Sequence, residues 1–226
     1  MTGILSWWEQ PRRVSVVVDN DSWVTPYCQE LVRQISTNGD DACFVGPGET
    51  VSEGDVAFYF GCIKITPPEV LTRHRRNLVA HASNLPDGKG FSPLTWQIIE
   101  GHNEIPICLI EATGEVDAGP VIYRDVVNFN GHELLPELQA KLGQAQVDLA
   151  LRFLAEAHPP DGQQQSRGGS IYPRRNPSNS ELDVDIPISE QFDLLRTVDN
   201  NRYPAFFDLR GHRYKLTIEK MDEDET

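Results

Sequence analysis

Residues 14–18, Val-Ser-Val-Val-Val, constrain the fold more than any other part of this chain. A run so nearly continuous in β-branched apolar residues lacks the in-out alternation of a strand with one wet face, so it suits a strand covered on both faces. Helices packed against a parallel sheet give that cover, and the next residues supply one. Thr25-Pro26 begins a helix whose Tyr27, Cys28, Leu31, Val32 and Ile35 form one apolar stripe, and Asn38-Gly39 ends it. Residues 42–45 and 55–60 read as second and third strands. Pro67-Pro68 then opens a short helix through Leu71 that feeds a strand ending at His81. This alternation predicts a doubly wound, mostly parallel α/β sheet, with ligands at the carboxyl ends of its strands.

The stretch from Asn77 to Gly119 carries the chemistry. Leu78-Val79-Ala80 delivers His81 to a strand end, and Ser83, Leu85, Pro86, Gly88 and Gly90 make a tight, extended loop. Ser92-Pro93 supplies a helix N-cap and first-turn proline, with Leu94, Trp96, Ile98 and Ile99 apolar before Gly101. A strand over 105–112 leads into Gly114-Glu115-Val116-Asp117-Ala118-Gly119, a second loop. An imidazole at His81 and a carboxylate at Asp117 are thus expected on loops leaving the same kind of edge, where a histidine can donate to an oxyanion and a carboxylate can orient it. Ser83 lacks the flanking glycines of a nucleophile elbow and reads as a turn hydrogen-bonder. His74, His102, His132, His158 and His212 stand in polar surroundings and read as surface residues.

Further on, residues 121–127 read as a strand and 133–157 as a helix with Pro136 in its first turn. The Gln-, Gly- and Ser-rich residues 159–169 read as a flexible linker. A short helix from Ser189 through Arg196 and a hairpin of residues 205–209 and 213–218 close the chain. The domain reading is an α/β core over 1–158, a linker over 159–170, and a C-terminal extension over 171–226. Tyr203, Phe206 and Phe207 form either an aromatic wall for a ligand or the packing of the hairpin on the sheet. Arg196 and Asp199 divide between an internal salt bridge and substrate contacts.

Composition sets the outer limits. With 226 residues, 39% hydrophobic and 24% charged, the chain suits one large core with an appendage. No apolar run approaches the ~18 residues of a membrane span, and the first residues lack a secretory pattern, which reads as a cytoplasmic protein. The net charge of −14 suits a polyanion such as tRNA badly. The clusters Arg73-His74-Arg75-Arg76 and Arg174-Arg175 leave room for a small anion such as a nucleotide diphosphate. Asp19 and Asp21 after the first strand would repel a phosphate, so that turn is no phosphate cradle. Cys28, Cys43, Cys62 and Cys108 show no metal-ligand spacing and read as buried free thiols; no metal site is expected.

His81-x-Ser83-x-Leu85-Pro86, Gly90-x-Ser92-Pro93-Leu94 and Asp117-x-Gly119, taken together, resemble the N10-formyltetrahydrofolate-dependent formyltransferases, and most closely the small sugar N-formyltransferases. Residues 19–23, 172–175, 195–200 and 203–207 extend the likeness. The resemblance implies a Rossmann-like formyltransferase core with a small C-terminal helix and β-hairpin. It also implies N10-formyltetrahydrofolate as formyl donor, held partly by Cys62, Ile63 and Asp117, and catalysis by His81 and Asp117. Ser83, Gly88 and Gly90 are carried over as substrate contacts. The acceptor implied is the amine of a nucleotide-linked amino sugar of surface-polysaccharide biosynthesis, with the hairpin completing the substrate side or a homodimer contact. A formyltetrahydrofolate hydrolase and a non-catalytic folate-binding module are the alternatives. One departure stands out. The family places an asparagine two residues before the histidine, and here Val79 holds that position. Asn77 lies on the same strand face but ~13 Å back, and Asn84 lies on the loop.

Overall fold

The computed structural model describes Trp8 and residues 11–221; most of the acidic C-terminal run and most of the first ten residues lie outside the described residues. Strands β1 (Arg13–Val17), β2 (Asp41–Val45), β3 (Gly54–Tyr59), β4 (His74–His81), β6 (Glu104–Glu111) and β7 (Val121–Asn128) form one six-stranded sheet in the order β2-β1-β3-β4-β6-β7. β1 to β4 are parallel, as the apolar runs predict. Helices α1 (Thr25–Thr37) and α4 (Leu135–Ala155) cover one face. There Leu31, Ile35, Phe58, Leu78, Ile107 and Phe153 are fully buried together. The opposite face carries smaller clusters, one of Val17, Ala57 and Tyr59 and one of Leu85, Cys108 and Ile110, with Val79 packed against both.

β6 runs antiparallel to β4, and β7 antiparallel to β6. Helix α3 (Pro93–Ile99) explains why. At 1.5 Å per residue its seven residues span about 10 Å, whereas the eight residues of β4 extend about 26 Å. It cannot carry the chain back to the start of β4, so β6 sets out from the end where β4 finished. Before it, β5 (Lys89–Gly90) pairs with β8 (Ile171–Tyr172). Helix α2 (Pro68–Leu71) starts behind Pro67, as expected. Ser92 sits at the N-terminus of α3 in the left-handed region (φ 49°) and makes no side-chain cap.

The C-terminal residues form α5 (Phe192–Leu195) and the hairpin of β9 (Ala205–Leu209) and β10 (His212–Leu216), turned at Arg210 and Gly211, both at positive φ. The hairpin's apolar residues gather on a cluster of Leu182, Leu195, Val198 and Ala205, with Phe207 against it. Arg196 is fully buried, paired with Asp193 and donating to Asn103 Oδ1, which ties this region to the core. Asp199 accepts the amides of Asn201 and Arg202. Both residues make contacts within the chain.

Three further expectations change. His74, read as a surface residue, is 5% exposed, and its Nε2 lies 3.0 Å from Ser15 Oγ. Cys43, on β2, is exposed rather than buried; Cys28 and Cys108 are buried and all four thiols are free. Residues 159–170, read as a flexible linker, are bound down: Gln163 exchanges two main-chain hydrogen bonds with Val121, and Gly169 approaches the Pro86 carbonyl so closely that a side chain would collide.

Candidate active site

His81 and Asp117 meet, by a route other than two loops leaving one edge. His81 pairs with Cys108 and Leu78 with Glu111, so β6 descends away from His81. The loop after β6 therefore leaves the sheet at the far end, and it turns back along the face that His81 and Val79 share. Its turn is tight. Glu111 N–H donates to Pro120 O, and Gly119 packs so close to the Glu111 carbonyl that only glycine fits. Asp117 is held in the left-handed region at φ 49°, uncommon for a residue with a Cβ.

The ring of His81 is enclosed. Its Nδ1 lies 3.4 Å from Asp117 Oδ1, and its Nε2 lies 2.8 Å from the Gly88 carbonyl. The side chains are 8% and 13% exposed. Asp117 Oδ2 accepts the Gly90 amide at 2.8 Å. Both ring nitrogens thus face acceptors: Nε2 is at hydrogen-bond distance from the Gly88 carbonyl, and Nδ1 is within ion-pair distance of the carboxylate. An imidazole placed this way is oriented to donate, and an oxygen reaching Nε2 would replace the Gly88 carbonyl.

The other residues of the loop hold the frame. Gly88, at φ 74°, has its amide bonded to Ser170 Oγ, and a Cβ there would run into Ser83 and Tyr172. Ser83 is 2% exposed, its hydroxyl has no protein partner among the described residues, and its carbonyl accepts from Cys108 Sγ. Arg124 crosses from β7 to Asn84 Oδ1, Leu85 O and Cys108 Sγ. Asn84 is thereby turned to the edge of the sheet. Asn77 is buried at the start of β4, bonded to Leu71 O, His74 O and the Tyr59 hydroxyl. Neither amide stands beside His81, where Val79 is.

Beyond Tyr59, which pairs with Val79, the chain leaves the sheet beside His81. Asp19 clamps this turn: its carboxylate accepts the amides of Ile63 and Lys64, and Asn20 donates to Gly61 O. The side chains of Ile63 and Ile65, 43% and 56% exposed, present apolar surface there. Cys62 points back to the Val17 carbonyl, and burial pushes its thiol up to about 12, with Asp19 adding to the rise. Burial also raises the Cys108 thiol. Neither thiol is a ready nucleophile.

Sequence reasoning missed Gln165 and Ser170. Gln165 Nε2 donates to both Asp117 O and Gly119 O at 2.8 Å. In Gln-Gln-Gln-Ser nothing marks one glutamine as half-buried.

Residues 50–154 match the formyl transferase family. The chain is 26% identical over 179 residues to the methionyl-tRNA formyltransferase of Streptococcus gordonii, covering 77% of this chain and 56% of that protein. The chain thus spans little more than half the length of that relative. The solved methionyl-tRNA formyltransferase from Clostridium thermocellum shares the fold with a TM-score of 0.77 at 19% identity, covering 93% of each chain. A sugar N-formyltransferase from Shewanella shares it with a TM-score of 0.65 at 18% identity, over 93% of this chain and 99% of that one. Among the described residues no helix is long and apolar enough to cross a membrane.

Proposed function

We propose that this protein moves a formyl group from N10-formyltetrahydrofolate to the amine of a nucleotide-linked amino sugar. The observation that carries the reading is the oriented pair: an imidazole 3.4 Å from a carboxylate, on the two loops that bear the family's motifs. The family match over residues 50–154 supports the reaction class, and the shared fold of a sugar N-formyltransferase supports a small acceptor. The exposed Ile63 and Ile65, on the segment that follows β3, suit the flat ring of a folate.

In the reaction the acceptor nitrogen bonds to the formyl carbon, the carbon–N10 bond breaks, and a proton lost by the amine ends on N10. His81 Nε2–H donates to the oxygen that becomes negative, leaving the Gly88 carbonyl to do so, and Asp117 holds the ring in place. Val79 supplies no amide to that oxygen. That absence favours, as a second reading, a module that binds the folate without turnover.

One assay separates the readings. Purified protein is mixed with N10-formyltetrahydrofolate, with and without a panel of amino-sugar nucleotides, and tetrahydrofolate, formate and formylated sugar are quantified. Formylated sugar is the expected product. Amine-independent formate would make it a hydrolase, binding without turnover the module, and absence of both binding and turnover would overturn the reading.

A further inference from the structure

We propose that Gln165 and Ser170, on the segment between α4 and β8, are positioning residues for the His81–Asp117 pair, Gln165 fixing the carboxylate and Ser170 the carbonyl that meets the ring. The inference rests on the functional reading above for its kinetic consequence, though not for its geometry.

Asp117 occupies a left-handed conformation that its own Cβ disfavours, so its surroundings must hold it there. Gln165 does so from outside the loop. Its amide nitrogen has two hydrogens and uses both, one on the carbonyl of Asp117 and one on that of Gly119, each at 2.8 Å. The reversed amide would set Oε1 against two carbonyl oxygens, so the chemistry fixes the orientation. Gln165 is itself anchored two residues earlier, where Gln163 exchanges hydrogen bonds of 2.8 and 2.7 Å with the first residue of β7, Val121. Clamped on both sides of Ala118, the turn aims the carboxylate at the ring and at the Gly90 amide.

Ser170 acts on the other nitrogen. Gly169 passes over the Pro86 carbonyl, an approach that admits only glycine. Ser170 then binds the loop three ways: its Oγ accepts the Gly88 amide at 2.9 Å, its amide donates to Asp87 Oδ1 at 3.1 Å, and its carbonyl accepts the Lys89 amide at 3.1 Å. Gly88, so held, presents its carbonyl to His81 Nε2. Neither Gln165 nor Ser170 is bonded to the ring. Each acts through the residue that does touch it.

The test reads the ring directly. The ¹⁵N resonances of the His81 imidazole are recorded in the full chain and in Gln165→Met, Gln165→Lys, Ser170→Ala and Asp117→Asn, with kcat, KM and melting measured alongside. Met keeps the bulk and loses the donor; Lys keeps a donor. Gln165→Met should move the Nδ1 resonance in the direction Asp117→Asn moves it, and lower kcat about 10- to 100-fold with KM little changed. Gln165→Lys should restore the resonance toward wild type, and Ser170→Ala should move chiefly Nε2. A folded Gln165→Met with Nδ1 at its wild-type position overturns the role of Gln165. If that variant does not fold, Gln165→Lys with Nδ1 displaced as in Asp117→Asn overturns it instead, and Nδ1 held near wild type supports it. An unmoved Nε2 in Ser170→Ala overturns the role of Ser170. Should the wild type turn over no formyl donor, the functional reading fails while the resonances still decide this one.

Discussion

At the scale of single residues, the site hangs on one ring between two acceptors. His81→Ala removes the only imidazole on the two loops, and Asp117→Ala removes the group that orients it. Each should cost about 10²–10³ in kcat/KM if the ring donates to the developing oxyanion. Near-normal turnover in either would remove the assignment. Val79 allows the converse experiment. It lies on the same face as His81, two residues back, about 7 Å along the strand. Val79→Asn would place an amide where the family has one, at the edge of the cluster containing Tyr59 and Cys62. Turnover should rise about tenfold or more while stability falls by about 1–3 kcal/mol, the cost of burying an amide with too few partners. Unchanged kcat at the expected cost in melting temperature would mean that the missing amide does not limit the reaction. The motif residues were legible because His81, Leu85-Pro86 and Asp117-x-Gly119 are each uncommon in combination. That Gly88 offers its carbonyl to the ring was not, because a backbone contact seven residues on leaves no mark on side-chain identity.

Among the elements, the parallel half of the sheet could be read directly, since β1 and β3 are apolar on both faces and helices separate the strands. The antiparallel half was hidden by a helix that looks like a crossover and is too short to be one. The strap after α4 was hidden by composition: polar residues that bind backbone look the same as polar residues that bind water. Two further groups hold elements together and make tests. Arg12, at the foot of β1, is 4% exposed. It donates from Nε and Nη2 to Asp40 after α1, and from Nη1 to Leu154 O in α4. Asp40→Ala strands a buried guanidinium, so stability should fall by about 3–5 kcal/mol. For a chain of this size that lowers the melting temperature by about 10 °C, measurable by calorimetry. A drop of only a degree or two would mean that water replaces the carboxylate.

His74 links β4 to Ser15 of β1, and burial lowers its pKa below the usual 6.5. The unfolded chain therefore takes up a proton that the folded chain refuses. The contribution of His74 is complete above pH 6.5 and is lost as pH falls below it, by at most about 1.4 kcal/mol per pH unit. Urea midpoints taken at pH 7.5 and pH 5 should separate further for wild type than for His74→Gln, which keeps a polar partner for Ser15 and does not titrate. Equal separations would show that other groups dominate the acid response.

For the whole molecule, charge gives a test of the proposed acceptor against the tRNA named in a relative. Binding to tRNA draws its affinity from counterions released when lysines and arginines meet phosphates. The chain carries −14 overall, four of those net charges from the run beginning at Glu219. In its two arginine clusters, which the sequence left open for an anion, Arg73, Arg76 and Arg175 are bound within the chain while Arg75 and Arg174 stay exposed. Arg73 donates to Val51 O; Arg75 lies 3.9 Å from Asp55; Arg76 pairs with Glu111 and lies over Phe153. Arg175 is bonded to Thr197 O, Asn179 O and Ser180 Oγ, and burial lowers its pKa. Only Arg174, over Phe91, faces outward of the pair. With the net charge at −14, labelled tRNA should bind no tighter than the ~10⁻⁴ M of weak non-specific association at physiological salt. The anisotropy titration should also change little between 50 and 200 mM salt, because few counterions are displaced. A nucleotide-linked amino sugar brings only its few phosphate charges, so it meets far less of this repulsion than a polyanion does. A micromolar, steeply salt-dependent tRNA complex would require a cationic surface that this arrangement of arginines does not provide, and would shift the acceptor from a sugar to an aminoacylated RNA.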